Sequence, residues 1–447
     1  MYFFYNIFTN LAIIISPVIV LYRILKGKED LRRFGEKFCI YYQKKTNRNI
    51  WIHAASVGEL MSVVPIIRKL EKNKKIKNIL LSTSTTSSAK IFKKLRLKKT
   101  SHVYFPLDNK YIVKKFIKYW KPELAIFIDS EIWPNMFNNL HIKNIPIIIM
   151  NARITQRSFN RWQIFPKFSK QVFGKISLAL PQNLETLKYL KLFKVKDIRI
   201  AGNLKYYGQK DNHAHSTKLL KNKFKNFKVW CAASTHYNEE VLIGNLHKKL
   251  KKKEKKLITI IIPRHISRTS EIKEALNKLD LNCISHSSNQ KIQKDTDIYL
   301  VDSYGESSRF YNLTNVSFVG GSIIKHGGQN PLEPARLGNY IVSGPNIKNF
   351  KEIYAFLNNL KMSSSTFNIL TMENIILKKL KMKSPNKNIK KIIKIGNDIL
   401  EKNVDHKYFL KKDASDSIAN RVDRKKVSKR SNSIALEVLA NKDDPVP

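Results

Sequence analysis

The sequence predicts an α/β protein with two Rossmann-like, doubly wound domains that face a cleft, preceded by an N-terminal membrane anchor. Three features support this prediction. Short apolar runs alternate with segments of helical spacing, the alternation breaks once at a polar stretch and then resumes, and the N-terminal segment carries no charged side chain. The predicted parts are an anchor at 1–22, a first domain at 23–204, a linker at 205–228, a second domain at 229–412 and a disordered basic tail at 413–447.

The N-terminal segment Met1–Tyr22 consists mostly of Phe, Ile, Leu, Val and Tyr, and a cluster of Lys and Arg follows it. A hydrocarbon core takes about 20 apolar residues to cross, and the following cations would keep the rest of the chain on the cytoplasmic side. Asn6, Thr9 and Asn10 weaken a spanning assignment. A helix in the membrane interface and a buried core helix are the alternatives.

Each domain is predicted to contain buried parallel strands, because its apolar runs are continuous instead of alternating. In the first domain these strands are Ile50–His53, Ile79–Thr83, Leu124–Asp129, Ile145–Asn151 and Leu178–Pro181. In the second they are Val229–Ala233, Leu257–Ile262, Ile298–Val301, Val316–Val319 and Tyr340–Val342. Ligands of such sheets bind at the carboxyl ends of the strands, so the site residues are expected there.

The charge balance indicates an anionic partner. Lys and Arg number 83 against 34 Asp and Glu, which gives a formal net charge of +49. Nucleic acid, a phosphorylated lipid and an acidic membrane surface would all suit this charge. Cys39, Cys231 and Cys283 stand far apart without a CxxC pair, so neither a disulfide framework nor a Cys-type zinc site is predicted and the compartment is expected to be reducing.

Acidic residues follow two strands of the first domain. Glu59 falls in the first turn of a predicted helix, after the small-residue turn that ends the first strand. Asp129 and Glu131 follow the predicted third strand. Carboxylates at strand ends must be solvated or paired, which makes them candidates for cleft chemistry; the alternative for each is a helix-capping role.

In the second domain, Arg264 follows the strand that ends at Ile262, where a fixed cation suits a phosphate or carboxylate. A tight turn at 304–306 follows another strand. The segment after Gly327 and Gly328 predicts a helix start that presents N–H groups to an anion.

In this helix start, Asn330 is the predicted N-cap, Pro331 the first helical residue and Glu333 the third. The two preceding glycines would permit a ligand to approach closely. The sequence contains neither GxGxxG nor GxxxxGK[ST] nor HExxH, which disfavours dinucleotide oxidoreductases, P-loop NTPases and zincin-type metalloproteases.

These ordered motifs resemble the lipid A 3-deoxy-D-manno-octulosonic acid (Kdo) transferases, membrane-anchored glycosyltransferases of the GT-B fold. The segments that carry the resemblance are Trp51–Glu59, Glu131–Asn135, Asn151–Arg153, Gly202–Lys205, Ala232–His236, Pro263–His265 and Gly320–Ala335. The chain departs from the family pattern at 87–89, at Asp129 and at 266–267.

The resemblance implies that Kdo passes from CMP-Kdo to a lipid A precursor with inversion at the anomeric carbon, without a metal or cofactor, at the cytoplasmic side of the inner membrane. Matching positions imply that Glu59 is the general base and Glu131 a second catalytic residue. The residues implied to bind CMP are Pro263, Arg264, Tyr304, Gly305, Glu306, Asn330, Pro331, Leu332 and Glu333.

Arg153, Arg157 and Arg161 recur at four-residue spacing beside Phe159, Trp162 and Phe165. On a helix they would present cations to the acceptor's phosphates or to an anionic membrane surface, with aromatic rings entering the headgroup region. An ordinary amphipathic surface helix is the alternative.

Two other classes of protein share part of this pattern. The first is another GT-B sugar-nucleotide transferase or epimerase, which would use uridine nucleotides. The second is a non-enzymatic basic protein that binds membranes or nucleic acid. The ordered strand-end motifs disfavour the second class, since a scaffold has no need for them, and nucleic acid is not the expected partner.

Overall fold

The computed structural model describes residues 1–41, 49–208, 214–382 and 385–404. The predicted tail at 413–447 lies outside the described residues, as do 209–213 of the predicted linker and 405–412 of the predicted second domain. The chain divides into two compact units: Met1–Tyr207 together with the residues from Gly396 on, and Gly208–Ile395.

The first unit contains a six-stranded parallel sheet in the order β3-β2-β1-β4-β5-β6. Its strands are β1 (Asn49–His53), β2 (Asn78–Thr83), β3 (Thr100–Tyr104), β4 (Pro122–Ile128), β5 (Ile147–Ala152) and β6 (Leu178–Pro181). Its helices are α1 (Tyr2–Leu25), α2 (Val57–Lys72), α3 (Thr86–Leu95), α4 (Lys110–Trp120), α5 (Pro134–Ile142), α6 (Gln156–Gln163), α7 (Pro166–Phe173) and α8 (Leu184–Leu192). Strand β3 was not predicted, because its Thr-Ser-His start interrupts the apolar run.

The second unit contains a seven-stranded parallel sheet in the order β13-β12-β11-β7-β8-β10-β9. Its strands are β7 (Lys228–Thr235), β8 (Leu257–Pro263), β9 (Cys283–Ser285), β10 (Ile298–Leu300), β11 (Val316–Val319), β12 (Tyr340–Ser343) and β13 (Ser363–Ser365). Its helices are α9 (Ala214–Lys223), α10 (Glu239–Lys253), α11 (Thr269–Asn277), α12 (Ser307–Tyr311), α13 (Leu332–Arg336), α14 (Lys351–Asn359) and α15 (Ile369–Leu380). All ten predicted strands are therefore present, and both sheets are doubly wound as predicted.

The structure differs from the sequence prediction around the linker and at the C-terminal helix. Helix α9 lies inside the predicted linker, and its Leu220 packs into the core of the second unit. The last helix, α16 (Asn386–Val404), begins in the second unit, but its residues from Gly396 on belong to the first. There Ile399 packs within 3 Å of the position that a Cβ on Gly202 would occupy. Helix α9 and the end of α16 were not recognised as packed segments because both are rich in polar residues.

The direction of chain winding reverses once in each sheet, at a topological switch point. In the first unit the chain passes from β1 to β2 and β3 on one side and returns to the other side of β1 with β4. In the second unit the chain passes from β7 to β8, β9 and β10 on one side and returns to the other side of β7 with β11. Because the loops after such a strand pair run in opposite directions, they leave a crevice at the carboxyl ends of the strands, where ligands of this fold class bind.

Helix α1 packs against the first unit along one face. The Tyr2 and Tyr5 rings contact Phe168 with centroids 5.0 and 6.1 Å apart, and Tyr5 Oη donates a hydrogen bond to Asp108 Oδ2 at 2.8 Å. Near the other end of the helix, Arg23 forms an ion pair with Glu29.

The opposite face of α1 is exposed and apolar. Its large exposed side chains are Phe3, Phe4, Ile7, Phe8, Leu11, Ile14, Ile15, Val18, Ile19, Leu21, Tyr22 and Leu25. By length and composition alone, α1 is long and apolar enough to cross a membrane. Helix α1 thus has an apolar, exposed outer face and is bonded to its own unit near both ends.

Candidate active site

Glu59 lies at the start of α2, beside the switch point of the first unit. Ser56 caps the helix: its Oγ accepts a hydrogen bond from Glu59 N at 3.3 Å and donates to Glu59 Oε1 at 2.8 Å. The other carboxylate oxygen accepts from Ala55 N at 2.7 Å. These reciprocal bonds form a capping box, so the sequence predicted the helix start correctly and the carboxylate has a fixed orientation.

The surroundings of Glu59 suit a base that works near neutral pH. Burial raises the pKa of Glu59 to about 7, and the negative charges of Asp129 and Glu131 act in the same direction. The hydrogen bonds from Ser56 and Ala55 oppose the rise without cancelling it. A carboxyl group with such a pKa exchanges protons readily at neutral pH.

The rate of the reaction should therefore depend on pH if Glu59 acts as the base. Only the ionised carboxylate accepts a proton, so we expect activity to rise with pH through a midpoint of about 7. The measurement is kcat/KM between pH 5 and 9, which reports groups of the free enzyme. A rate that does not change between pH 6 and 8 would contradict this role for Glu59.

Glu131 follows β4 and lies against the rings of Trp133 and His53. Trp133 Nε1 donates to Glu131 Oε2 at 2.9 Å, and His53 Nε2 lies 3.3 Å from the same oxygen. His53 is fully buried, with its ring stacked on Phe105 at a centroid distance of 3.8 Å. Ser82 Oγ lies 3.0 Å from His53 Nδ1. Glu131 is therefore oriented by the Trp133 N–H group and by a histidine buried in the core of the sheet.

Asp129 and Asn151 hold the end of β4 against β5 in an uncommon backbone conformation. Their φ angles are +59° and +54°, in the left-handed region. The Asn151 amide donates to Asp129 Oδ1, and Asn151 Oδ1 accepts from Leu204 N at 3.0 Å. Burial raises the pKa of Asp129, although the Asn151 bond and the charges of Lys205 and Arg153 oppose it.

Lys205 is a cation of this cluster that the sequence reasoning did not single out. Its charge interacts favourably with those of Asp129 and Glu59, while burial and Arg153 lower the pKa of its ammonium. Asn203 Oδ1 accepts from Lys205 N at 2.9 Å and fixes the turn. The sequence signal that could have indicated Lys205 was the segment Asn203-Leu204-Lys205, which stands at the start of the polar stretch. Glu59, Asp129, Glu131 and Lys205 thus form one electrostatically coupled group.

The three predicted arginines do not share one helical face. Helix α6 begins at Gln156, so Arg153 precedes it in the turn after β5, where Arg153 N donates to Asp129 O at 3.2 Å. Arg157 and Arg161 are exposed on α6.

The aromatic side chains of this segment were also expected at a membrane, and two of the three are not available there. Phe159 stacks on Tyr189 at 4.2 Å, and Trp162 packs edge-on against Phe173 at 5.2 Å, so both are partly buried against the first unit's core. Phe165 is exposed.

The predicted donor residues lie at or after the ends of three strands of the second unit, β8, β10 and β11, and Pro263 is the last residue of β8. Arg264 follows β8 with an exposed side chain, and its N–H donates to Thr235 O at the end of neighbouring β7 at 3.0 Å. Tyr304 and Gly305 form an exposed turn after β10. Glu306 forms an ion pair with Arg309, so this carboxylate already has a cationic partner.

The helix start after β11 differs from the prediction by one residue. Helix α13 begins at Leu332, so Pro331 occupies the cap position and Glu333 is the second helical residue. Asn330 Oδ1 accepts from Leu332 N at 3.1 Å, so the asparagine caps through its side chain two residues ahead. The helix has five residues, too few to act as a strong dipole at its N-terminus.

The glycines that precede α13 serve the chain's own packing. Gly327 and Gly328 have φ angles of +100° and +80°, and a Cβ on either would meet the segment 346–349 at 2.5 to 3.3 Å. The positive φ angles and the closeness of this segment account for glycine at both positions.

Glu239 organises the loop after β11 and was also missed. This carboxylate, at the start of α10, is almost fully buried and accepts four backbone N–H bonds, from His236, Gly321, Ser322 and Ile323, at 2.7 to 3.1 Å. The N–H groups of the glycine-rich loop are therefore already satisfied. The sequence signal of Glu239 was an acidic residue at a helix start, and this feature is too common to indicate a special role.

Two doubly wound parallel sheets in one chain, each with ionisable side chains at its switch point, define an enzyme of the GT-B fold class. A putative UDP-N-acetylglucosamine 2-epimerase of Listeria monocytogenes has a similar fold, with a TM-score of 0.54 over 82% of this chain and 98% of that one. The two sequences are 9% identical, so this likeness concerns the fold alone.

Residues 32–207 match the family model described as 3-deoxy-D-manno-octulosonic-acid transferase. The chain is 35% identical to the 3-deoxy-D-manno-octulosonic acid transferase of Rickettsia bellii, over 78% of this chain and 84% of that protein. It is 32% identical to the enzyme of the same name from Haemophilus influenzae, over 79% of this chain and 84% of that protein. The chain therefore belongs to the 3-deoxy-D-manno-octulosonic acid transferase family of glycosyltransferases, which confirms the resemblance found in its sequence.

Proposed function

We propose that this protein transfers Kdo from CMP-Kdo to a phosphorylated lipid A precursor, with inversion at the anomeric carbon and without a metal ion. The observation that carries the proposal is Glu59, a carboxylate held in fixed orientation with a pKa near 7 in the first unit of a Kdo transferase family member. Glu59 removes the proton from the acceptor hydroxyl as the oxygen attacks the anomeric carbon. Since the departing phosphate is stable as an anion, the leaving group needs no protonation.

The other residues of the first unit support this step electrostatically. Lys205, whose charge interacts favourably with Glu59, offsets negative charge in the cluster. Glu131, held by His53 and Trp133, orients the acceptor or keeps Glu59 poised. The nine residues predicted for CMP binding provide the donor site of the second unit, with Arg264 positioned for the phosphate.

The direct test uses the purified full-length protein in mixed micelles with CMP-Kdo and a tetra-acylated, bisphosphorylated lipid A precursor. Mass spectrometry should show the lipid gaining one or more Kdo units with release of CMP, in the presence or absence of EDTA. NMR of the product should show the inverted anomeric configuration. Transfer from a uridine-nucleotide sugar instead, or hydrolysis of CMP-Kdo without transfer, would contradict the proposal.

Arg264→Ala should weaken use of the donor. Losing a charge-assisted contact to phosphate costs about 1.5–3 kcal/mol, or roughly 10- to 150-fold in affinity. The measurement is the dissociation constant for CMP by calorimetry, together with KM for CMP-Kdo. Arg199→Ala is the matched control, since its guanidinium pairs with Asp197 on the surface of the first unit. Wild-type CMP affinity in Arg264→Ala would mean that Arg264 only faces solvent.

We also propose that the protein binds the cytoplasmic face of the inner membrane through α1, lying along the surface. Tyr5 and Asn10 are bonded to Asp108 and Asn109, and Arg23 at the other end is bonded to Glu29. A helix crossing the bilayer could not keep contacts to one folded unit near both ends, because 24 helical residues extend about 36 Å. This favours the interfacial alternative, with the apolar outer face in lipid and the basic surface of the protein near anionic headgroups.

Ile14→Glu should then reduce membrane binding. Ile14 is 73% exposed on the outer face of α1, and placing it in lipid is worth about 1.5–3 kcal/mol, so partitioning should fall by roughly 10-fold or more. The measurement is sedimentation with vesicles containing anionic lipid. Leu192→Glu, at a residue 55% exposed on α8, is the control and should bind as wild type does. Equal membrane binding by both variants would contradict the proposal that α1 lies on the membrane surface.

A further inference from the structure

Three histidines converge at the switch point of the second unit. His236 follows β7, His265 follows β8, and His326 lies in the loop after β11, and these strands are neighbours in the sheet. The rings of His236 and His326 are 4.4 Å apart between centroids, and those of His236 and His265 are 6.3 Å apart. The roles proposed for CMP-binding residues use none of the three.

The loop geometry brings the imidazoles together. Gly321 has a φ of +65°, and a Cβ there would lie 3.3 Å from atoms of both His236 and His326. Glu239 holds the backbone on both sides by accepting from the N–H groups of His236 and Gly321. Glycine and a buried acid therefore fix two loops so that two rings can face each other.

The imidazole of His236 is a neutral donor at physiological pH. Burial, together with the charges of His326, His265, Arg264 and Arg268, lowers the pKa of His236 to about 4. The Gln329 amide nitrogen lies 3.2 Å from His236 Nε2. Since an amide nitrogen only donates, Nε2 accepts and Nδ1 carries the proton.

The nearby carboxylates do not balance this group of donors and cations. Glu239 is committed to backbone N–H groups, and Glu240 forms an ion pair with Arg268. Among the described residues, no group of three or more His, Cys, Asp and Glu side chains is arranged to hold a metal ion. His265 and His326 are exposed, so an anion from solution can reach the cluster.

We propose that His236, His265 and His326 form the subsite for the carboxylate of the sugar acid in the donor. This rests on the proposed function, in which the donor carries two anions, a phosphodiester and a sugar carboxylate. Arg264, always charged, suits the phosphodiester. A carboxylate accepts hydrogen bonds from about four directions, so it suits a cluster of imidazole N–H donors, whereas a neutral sugar would leave these donors unpaired. The cluster thus selects a sugar acid over a neutral hexose.

The test compares two ligands that differ by the sugar acid. Calorimetry with the full-length protein measures the affinity for CMP-Kdo and for CMP in wild type, His326→Phe and His326→Arg. His326→Phe keeps a ring beside His236 but removes its N–H groups, so CMP-Kdo should bind at least about 10-fold more weakly while CMP binds within twofold of wild type. His326→Arg should restore CMP-Kdo binding, since a guanidinium binds a carboxylate well. His141→Phe, at an exposed histidine of the first unit, is the control and should leave both affinities unchanged.

The outcomes separate the subsite from the proposed function. Equal weakening of CMP and CMP-Kdo by His326→Phe would assign the imidazoles to the phosphate and overturn the carboxylate subsite. Unchanged CMP-Kdo binding, or loss that arginine does not restore, would overturn it as well. A wild-type protein that transfers Kdo in these cases keeps the proposed function. A wild-type protein that neither binds CMP-Kdo nor transfers Kdo would contradict both proposals.

Discussion

Glu59→Gln is expected to lower Kdo transfer by about 100- to 10,000-fold, the range that removal of a general base produces. Glutamine keeps the size of the side chain and one oxygen for the bond from Ala55 N, but its amide does not accept a proton at neutral pH. The proposed donor site lies in the other unit, so CMP affinity should stay at the wild-type value. The measurements are transfer rate, CMP affinity and thermal unfolding on the same purified variant.

The capping box makes a control necessary, because Glu59 also stabilises the start of α2. Ser56→Ala removes the reciprocal Ser56 bonds and keeps the carboxylate, at a cost of about 1 kcal/mol of stability. Since the Ser56 bond lowers the pKa of Glu59, its loss should move the midpoint of the pH profile upward. Transfer should otherwise survive in Ser56→Ala. If Glu59→Gln retained more than a tenth of wild-type transfer, Glu59 would not be the base and Glu131 would be the next candidate.

The sequence predicted those elements whose signal is local. Continuous β-branched and aliphatic runs such as Leu257–Pro263 are typical of parallel strands that are buried on both faces. The placement of Glu59 in the first turn of a helix was also predicted, and the structure shows there a capping box with Ser56. Short strands such as Ser363–Ser365 consist of polar residues and depend on neighbours for their formation.

The rest depended on contacts between residues distant in the chain. Glu239 reads as an ordinary helix-start acid until Gly321–Ile323, more than eighty positions away, turn their N–H groups toward it. Phe159 and Trp162 were expected to form an aromatic face for lipid, yet their rings pack against Tyr189 and Phe173 and are partly buried. The His236 and His326 pair likewise requires the β7–β11 pairing that no local pattern reveals.

Outside the cluster of Glu59, Asp129, Glu131 and Lys205, Asp108 is a residue whose loss we expect to lower the free energy of unfolding strongly. Its carboxylate accepts from Asn135 N at 3.0 Å, from Met136 N at 2.7 Å and from Tyr5 Oη at 2.8 Å. It thereby caps α5, which begins three residues after Glu131, and connects α1 to the same point. Asp108→Ala leaves these buried donors unpaired, and we expect a loss of about 2–5 kcal/mol in the free energy of unfolding, with transfer falling as Glu131 loses its support.

Two further variants are compared with Asp108→Ala by measuring the free energy of unfolding in denaturant. Tyr5→Phe removes one of the three donors and should cost about 0.5–1.5 kcal/mol. Asp302→Ala removes a carboxylate that accepts from Ser287 N on the exposed surface of the second unit, and should cost less than about 1 kcal/mol.

The pH dependence of the Asp108→Ala effect distinguishes a buried carboxyl from a surface cap. Burial raises the pKa of Asp108 to about 6, above its value in an unfolded chain. A group of this kind gives its full stabilisation below the unfolded pKa, and this stabilisation is lost as the pH rises through the folded value. The difference in unfolding free energy between wild type and Asp108→Ala should therefore be larger at pH 5 than at pH 8. An equal difference at both pH values would show that the Asp108 carboxyl titrates normally, and that its bonds to α5 and Tyr5 outweigh the cost of burial.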